Sequence, residues 1–326
     1  MRRVVIVGCG SIGARHARNA ASLQIGELLL VDTDRDRREA VARETGGRAA
    51  RDLSDALERG CDAAIICTPP AGHLAAASRC ITAGCRLLLI EKPISSSLDE
   101  LDRLADDVAA HRVRAAVAYQ LRFHPAIARL RELATSGAIG RLLSIRAEFG
   151  QYLPDWRPSR DYRRTYTAIA AEGGGMLLDG SHEIDYVRWI AGEIESVYAS
   201  AGKLSDLDMD AEDFAAVILK HSAGAVGEIH VDCLQHGYSR TCTLIGTEAT
   251  VRWSIASGLE ITSRGGIVRK EALVADPNAA YVSEMQELFE NDGRPSSLAS
   301  LSDGARVLAI ALAARRSAAE RKEISL

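Results

Sequence analysis

The first residues in the chain that could bind a ligand form a glycine pattern. Gly8, Gly10 and Gly13 follow an apolar segment and precede a segment with a helical pattern. In a loop of this spacing the first glycine permits a tight turn, and the second lets the backbone approach a pyrophosphate. The third lets the helix pack closely on the strand. The first N–H groups of the helix, including those of Ser11 and Ile12, then point towards the phosphates. The pattern predicts a dinucleotide site.

An acid at the end of the next apolar run indicates which dinucleotide binds. Asp32 closes the run 28–31, where a carboxylate accepts hydrogen bonds from ribose hydroxyls and repels a 2′-phosphate. Arg35 and Arg37 follow and allow two interpretations: they receive a 2′-phosphate, or they are cations on a helix surface, which we favour. The sequence therefore predicts NAD, with NADP as the alternative.

A lysine follows a later apolar run, at a place where ligands commonly bind. Lys92 lies in Ile90-Glu91-Lys92-Pro93, directly after the run 87–90. In open α/β sheets, ligands bind at the carboxyl ends of the strands. A lysine there can hydrogen-bond a substrate hydroxyl and help to move its proton. The alternative is an ordinary surface lysine after a strand.

A second reactive group lies further along the chain, where Asp179, His182 and Asp185 recur at intervals of three residues. The sequence predicts one helix over 176–190, so adjacent members of the set would share a helix face. An imidazole flanked by carboxylates suits general acid–base catalysis, because its unperturbed pKa of about 6.5 is near neutrality. A structural histidine is equally compatible. One histidine with two aspartates is poor evidence for metal, and we predict no metal site.

The elements that position these residues begin with an alternation of short apolar runs and helical patterns. Such alternation is typical of a parallel sheet wound with helices, whose strands are covered on both faces. Ser97 and Glu100 suggest a capping box for the fifth helix. The predicted strands are 4–7, 28–31, 63–67, 87–90 and 113–118, and the predicted helices are 12–23, 35–44, 53–59, 73–83 and 98–111.

The pattern changes after residue 120. A helix and a strand precede a long irregular stretch over 150–175, and loops of that length in compact domains are usually functional. We predict a Rossmann domain over 1–120 and a substrate-binding and oligomerisation domain over 121–326, an α+β domain with a large, open, mostly antiparallel sheet. An alanine-rich helix at about 303–321 packs back. The other predicted elements are helix 125–135 and strands 142–149, 196–201, 214–221, 226–234, 240–245, 250–254 and 259–262.

Composition excludes several classes of protein. The net charge of −4 and the mixed-sign charge runs argue against a nucleic-acid partner. No stretch approaches the roughly 18–20 apolar residues of a membrane span, and no signal-peptide pattern opens the chain. The seven cysteines are scattered without a CxxC pair, which favours free thiols and a cytoplasmic location.

Together the motifs resemble those of the glucose–fructose oxidoreductase/inositol dehydrogenase (Gfo/Idh/MocA) family. The resemblance implies a Rossmann domain followed by a domain on an open sheet, assembled as a homodimer or homotetramer through that sheet. It also implies reversible NAD(P)-dependent oxidation of a hydroxyl on a sugar, polyol, sugar acid or nucleotide-linked sugar. The motifs are the glycine loop, Thr68-Pro69-Pro70 with His73, Glu91-Lys92-Pro93, Phe123-His124-Pro125, 137–140, 173–185 and Gly246-Thr247-Glu248.

The resemblance also assigns residues. Lys92 corresponds to the family's catalytic lysine and His182 to its catalytic histidine. Many members place an aspartate four residues before the histidine, whereas this chain has Leu178 there and Asp179 three before, as in a branch associated with surface-sugar biosynthesis. Gln120 replaces a commoner asparagine near the nicotinamide. The residues that fall where the family lines the cofactor cleft are Thr68, Pro69, His73 and Glu91.

The substrate remains open at this point. Arginines can bind a carboxylate or phosphate, which would fit a sugar acid or a nucleotide-linked sugar, but they can equally contact the cofactor or lie on the surface. Two other activities also fit the family: a glycosidase that oxidises its sugar transiently and recycles NAD, and a non-catalytic NAD-binding sensor. The substrate candidates are Arg122, Trp156, Arg157, Tyr162 and Asp185, with Arg160 as a further cation.

Overall fold

The computed structural model describes residues 2–156, 158, 160–273, 275–291 and 296–326. The chain forms two compact units, one of residues 1–123 and 277–305 and the other of residues 124–276 and 306–326. This division differs from the predicted boundary at residue 120, because the segment 277–305 belongs to the first unit.

The first unit is a parallel sheet with helices between its strands. The predicted strands and helices of this part are confirmed to within a few residues, and the two-residue β3 is additional. The strand order is β3-β2-β1-β4-β5-β6, so successive strands are added on one side of β1 up to β3 and on the other side from β4 onwards. The elements are β1 (Arg3–Val7), α1 (Ser11–Ser22), β2 (Glu27–Val31), α2 (Arg35–Thr45), β3 (Arg48–Ala49), α3 (Leu53–Leu57), β4 (Ala63–Ile66), α4 (His73–Thr82), β5 (Leu87–Glu91), α5 (Leu101–Ala110) and β6 (Arg114–Ala118).

The predicted capping box of α5 is wrong. The helix begins at Leu101, and the N-cap is Glu100 itself, in the left-handed region with φ of 64°. The Ser97 hydroxyl instead accepts a hydrogen bond from the Asp99 N–H at 3.3 Å, so it closes a local turn before the helix.

The second unit is built on a nine-stranded mixed sheet of order β14-β13-β12-β11-β7-β10-β9-β8-β15. Only the β7–β10 pair is parallel among its described pairs, as the prediction of a mostly antiparallel sheet requires. The elements in chain order are α6 (Pro125–Thr135), β7 (Leu142–Gly150), α7 (Leu153–Trp156), α8 (Met176–Asp179), α9 (Ser181–Ala191), β8 (Ile194–Gly202), β9 (Phe214–His221), β10 (Val226–Asp232), β11 (Ser239–Gly246), β12 (Ala249–Ser254), β13 (Gly258–Ser263), β14 (Val268–Glu271), α10 (Ala279–Glu290), α11 (Leu301–Glu320) and β15 (Ile324–Ser325).

The two faces of this sheet differ. Along β9 the side chains of Ala215, Val217 and Leu219 are buried, whereas Ile218 between them is exposed. Such alternation is typical of a sheet with one covered and one open face. Among the described residues, no helix is long and apolar enough to span a membrane.

Helix α10 was not predicted, although its buried residues have helical spacing. Met285, Leu288 and Phe289 join the core of the first unit, together with Val4 and Ile6 of β1. Arg114 on β6 donates to the backbone carbonyl of Glu287 at 2.7 Å. The segment 277–305, here called the returning segment, therefore completes the core of the first unit rather than belonging to the second.

This assignment predicts a stability effect. Replacing Met285, which is 0% exposed, by alanine should lower the free energy of unfolding by about 2–5 kcal/mol. The control is Ile267→Ala, at a side chain 70% exposed, where a change within about 0.5 kcal/mol is expected. Urea unfolding monitored by circular dichroism measures both. Equal values for the two variants would contradict the placement of α10 in the core.

Candidate functional site

The glycine loop after β1 requires glycine at two positions because of internal packing. Gly8 has φ of +96°, and a Cβ built on it would lie 2.5 Å from the Cys67 carbonyl oxygen. A Cβ on Gly13 would lie 1.8 Å from the Gly8 carbonyl oxygen. A Cβ on Gly10, by contrast, meets no protein atom within 4 Å. Gly8 and Gly13 thus bring α1 against the sheet, and Gly10 borders open space.

This loop fits a dinucleotide pyrophosphate. Gly10 is the N-cap of α1 and supplies no side-chain cap, so the N–H groups of the first turn, including those of Ser11 and Ile12, have no intrahelical acceptor. The missing side chain at Gly10 leaves room for a phosphate to approach them. These groups and the helix dipole favour an anion at this end of α1.

Asp32 is oriented by the same loop. Its Oδ2 accepts the Cys9 N–H at 2.7 Å and its Oδ1 accepts the Asp34 N–H at 2.8 Å. The Arg37 guanidinium lies 3.5 Å from Oδ2, and Arg35 pairs with Glu39 at 2.7 Å. Both arginines therefore have carboxylate partners, which agrees with their interpretation as helix-surface cations. The carboxylate stands at the end of β2, where a ribose diol is bound in folds of this kind.

His73 connects the segments that follow β4 and β5. Its Nε2 lies 2.8 Å from the Thr68 carbonyl oxygen and its Nδ1 lies 2.9 Å from that of Pro93. Burial lowers the pKa of the imidazole, so the ring is neutral at pH 7 and donates to one carbonyl at a time. His73 thus supports the loop that contains Thr68 and Pro69.

Glu91 and Lys92 stand at the carboxyl end of β5. One Glu91 oxygen, Oε1, lies 2.7 Å from His16 Nε2, and the other accepts the Lys92 N–H at 3.1 Å. His16 is completely buried on α1, one turn after Gly13. Sequence reasoning missed His16. The signal was a histidine on the face of α1 that otherwise buries small residues.

Gln120 and Arg122 are held by the returning segment of the first unit. The Gln120 amide donates to the Tyr281 hydroxyl at 3.0 Å, and the Arg15 guanidinium lies 4.6 Å from the centre of the Tyr281 ring. Arg122 is buried and lies 3.4 Å from Asp303. This ion pair accounts for the burial of Arg122 without a substrate anion, so its substrate role stays a prediction.

In the second unit the predicted single helix over 176–190 is wrong, because it is broken at Gly180 into α8 and α9. A Cβ on Gly180 would lie 2.7 Å from both the Met176 carbonyl oxygen and Val231 Cγ1, so the break lies in tight contact with β10. Asp179 ends α8, whereas His182 and Asp185 lie one turn apart on α9, and all three are buried. The shared helix face therefore holds only for His182 and Asp185.

Asp179 is bound by two hydroxyls from the long segment before it. Tyr166 donates to Oδ1 at 2.8 Å and Thr167 donates to Oδ2 at 2.6 Å. Neither residue was predicted from the sequence. The segment 150–175 is consequently fixed to the end of α8, three residues from His182.

The same segment forms a small pocket that contains two of the predicted substrate residues, Trp156 and Tyr162. The Trp156 indole N–H donates to the Gln151 carbonyl at 2.7 Å, and the Tyr162 hydroxyl accepts the Asp208 N–H at 3.0 Å, which fixes both rings. Arg157 lies outside the described residues. The pocket is lined by Leu153, Trp156, Arg160, Tyr162, Thr165 and Thr167.

The Rossmann topology, the glycine loop and the acid after β2 define a dinucleotide-binding domain. Residues 2–119 match the family model described as the oxidoreductase family with an NAD-binding Rossmann fold. Residues 127–252 match the model of the GFO/IDH/MocA C-terminal domain. The chain belongs to the Gfo/Idh/MocA family of NAD-binding oxidoreductases.

Individual relatives agree with this membership. The chain is 31% identical to the myo-inositol dehydrogenase Hyg17 of Streptomyces leeuwenhoekii over 217 residues. The matched region covers 66% of this chain and 64% of that protein. It is 25% identical over 340 residues to the myo-inositol 2-dehydrogenase of Thermotoga maritima, covering 99% and 98% of the two chains. The crystal structure of GenD2 from gentamicin A biosynthesis, in complex with NAD, has a TM-score of 0.84, 26% identity and coverage of 100% and 96%.

The different surroundings of the glycines predict separable effects. Gly10→Ala should leave the melting temperature unchanged but raise the Kd for NAD about tenfold or more, which corresponds to about 1.4 kcal/mol, because the methyl group occupies space needed by the pyrophosphate. Gly13→Ala should lower the melting temperature, because its methyl overlaps the Gly8 carbonyl. Thermal unfolding and isothermal titration calorimetry measure these effects. Unchanged NAD affinity in a folded Gly10→Ala protein would contradict the proposed path of the pyrophosphate.

Proposed function

We propose that the chain oxidises a ring hydroxyl of a cyclic polyol or sugar with NAD, and that Lys92 and His182 are its principal catalytic residues. The observation that carries the proposal is the position of Lys92 directly after β5, at the edge of the sheet where parallel α/β folds bind ligands. Relatives named inositol dehydrogenases and a neighbour from gentamicin A biosynthesis support the substrate class.

The chemistry requires one hydride and one proton to leave the carbinol group. NAD, when bound, supplies the nicotinamide that accepts the hydride. In the proposed mechanism His182 removes the hydroxyl proton as a general base, and the Lys92 ammonium donates a hydrogen bond to the same oxygen. In the reverse direction His182 returns the proton to the alkoxide.

Asp179 supports His182 in this proposal as a positioning residue. Its carboxylate is fixed by the hydroxyls of Tyr166 and Thr167, so it does not move freely around the amino terminus of α9. Asp185, one turn along α9, adds a second buried carboxylate to the surroundings of His182. A fixed negative charge stabilises the imidazolium that proton removal creates.

The pocket beside Thr167 is the proposed site for the part of the substrate remote from the reacting carbon. Trp156 and Tyr162 present aromatic surface whose polar atoms are already hydrogen-bonded, which suits the apolar face of a sugar or cyclitol ring. Arg160 in the same lining is exposed and suits a polar or anionic substituent.

The role of Lys92 is testable by replacement. Lys92→Ala should lower kcat by about 10²–10⁴-fold, because a charged hydrogen-bond donor to the reacting oxygen is lost. Its Kd for NAD should stay within about twofold, since the glycine loop and Asp32 provide the main cofactor contacts. NADH absorbance with a panel of inositols and sugars measures the rate. The control is Lys203→Ala on an exposed lysine of the second unit. Wild-type turnover in Lys92→Ala protein would refute the assignment.

We also propose that the chain forms a homodimer or homotetramer through the open face of the nine-stranded sheet. Tyr198 and Ile218 are both 48% exposed and pair directly across β8 and β9, with Val226 close by at 43%. Exposed apolar residues on a contiguous sheet face commonly mark an interface. The Arg146–Glu228 ion pair on neighbouring strands adds polar groups to this face.

A charge on this face should separate the subunits. Ile218→Asp is expected to shift the mass in solution towards that of the monomer, because burial of an unpaired carboxylate in an interface is costly. Size-exclusion chromatography with light scattering measures the mass. Ile267→Asp, in the turn between β13 and β14, is the matched control and should keep the wild-type mass. An unchanged mass for Ile218→Asp would place any interface elsewhere.

The proposed location is the cytoplasm. All seven cysteines are free and buried, as expected of thiols that serve as small apolar side chains. Burial and the nearby Asp32 carboxylate raise the pKa of Cys9 to about 12, so the thiol in the glycine loop stays protonated and unreactive.

A further inference from the structure

His16 and Glu91 are ionisable side chains of the first unit that are buried and have no role in the mechanism above. The side chain of His16 is 0% exposed and that of Glu91 is 8% exposed, and His16 Nε2 lies 2.7 Å from Glu91 Oε1. A buried pair of this kind contributes little net stability, since desolvation offsets much of the attraction. Two apolar side chains of similar volume would serve the core as well. The pair therefore calls for a functional explanation.

The pair lies between the two segments that matter for the reaction. His16 is on α1, one turn after Gly13, which fixes the helix against the sheet. Glu91 is the last residue of β5, and its second oxygen accepts the backbone N–H of Lys92 at 3.1 Å. The imidazole thus holds the carboxylate, and the carboxylate holds the backbone of the lysine.

Tyr281 of α10 covers this arrangement. Its ring meets the His16 ring edge-on, with 6.0 Å between the ring centres, and it also contacts the Arg15 guanidinium and the Gln120 amide. Burial and the nearby Glu91 carboxylate raise the pKa of the phenol, so it stays neutral. An aromatic cover limits water near the pair, which strengthens the hydrogen bonds of Glu91.

We propose that His16 and Glu91 form a positioning unit that fixes Lys92 relative to the glycine loop, and that Glu91 is not a cofactor ligand. Both carboxylate oxygens of Glu91 are already engaged inside the protein. This inference rests on the proposed role of Lys92. Misplacement of a reacting group by 1 Å can cost about 100-fold in rate, so loss of the unit should lower kcat rather than NAD affinity.

Two variants separate positioning from stability. The double variant His16→Leu/Glu91→Leu removes both polar groups together, so no unpaired charge stays buried and the protein should fold. We expect its kcat to fall by about 10–100-fold while the Kd for NAD stays within about twofold. Glu91→Gln is the conservative variant: its amide oxygen can accept the Lys92 N–H while its NH₂ group donates to His16 Nε2. It should retain most of the wild-type kcat.

Hydrogen exchange of the Lys92 amide, without NAD or substrate, reports the unit independently of turnover. Exchange should be about tenfold faster than wild type in the double variant and nearly unchanged in Glu91→Gln. The control is His221→Leu, which removes a buried imidazole that bonds the Gly192 carbonyl at 2.8 Å in the second unit. This control removes one partner of a buried hydrogen bond and should lose stability, but it should keep wild-type kcat and Lys92 exchange.

The outcomes that overturn the inference are distinct from failure of the proposed function. Positioning is refuted if the double variant has wild-type kcat, or if its only defect is a weaker affinity for NAD. In that case an inactive Lys92→Ala protein would still support the role of Lys92. A Glu91→Gln protein as slow as the double variant, with Lys92 exchange still slow, would show that the charge of Glu91 matters and not its hydrogen bonds. If Lys92→Ala is active, the proposed function itself fails. Should the double variant not fold, His16→Phe/Glu91→Gln replaces it: the ring at position 16 is kept, its hydrogen bond to residue 91 is lost, and no unpaired charge stays buried. A kcat equal to that of Glu91→Gln in this protein would refute positioning.

Discussion

The close approach of α1 to the sheet is the constraint on which the rest of the first unit depends. No side chain fits at Gly13, where a Cβ would lie 1.8 Å from the Gly8 carbonyl, nor at Gly8, where it would lie 2.5 Å from the Cys67 carbonyl. The helix therefore begins immediately beside β1 and β4. This contact directs its unpaired N–H groups to the carboxyl edge of the sheet, and it brings His16 within hydrogen-bond distance of Glu91. The glycine turn thus also determines which side chain contacts Glu91, the residue before Lys92.

In the second unit, side-chain hydroxyls rather than close backbone packing hold the segment before the candidate catalytic helix in place. The described part of segment 150–175 contains α7 and three short 3-10 helices, whose backbone hydrogen bonds are mostly local. Tyr166 and Thr167 bind the carboxylate of Asp179, and the Ala170 N–H binds Asp210 at 2.6 Å. Charged acceptors strengthen these hydrogen bonds relative to neutral ones. Asp179 consequently has a structural reason to be present, whether or not it also orients His182.

Much of the fold was predictable because the parallel strands are covered on both faces and hence appear as uninterrupted apolar runs. The errors have long-range causes. The predicted helix breaks at Gly180, where a side chain would lie 2.7 Å from Val231 Cγ1 on β10, and no local signal reveals that contact. Helix α10 has helical spacing, but its membership of the first unit depends on partners such as Val4 and Ile6, more than 270 positions away. In both cases the deciding contacts are tertiary ones that the local pattern does not contain.

The residues of the candidate site also differ in whether local sequence or long-range contacts reveal them. Residues in short motifs, such as Gly10, Asp32 and Lys92, could be proposed from the sequence because each follows directly on a predicted strand, where ligands bind in such sheets. His16 and Tyr281 were not, since their partners lie 75 and 161 positions away in sequence. Burial of a polar side chain is tolerated only when it finds a partner, so a histidine among small residues on the buried face of a helix implies an acceptor elsewhere in the chain. Here that acceptor is Glu91, which immediately precedes Lys92. The histidine on α1 therefore indicates that a buried acceptor exists, but only the folded chain shows that this acceptor is Glu91.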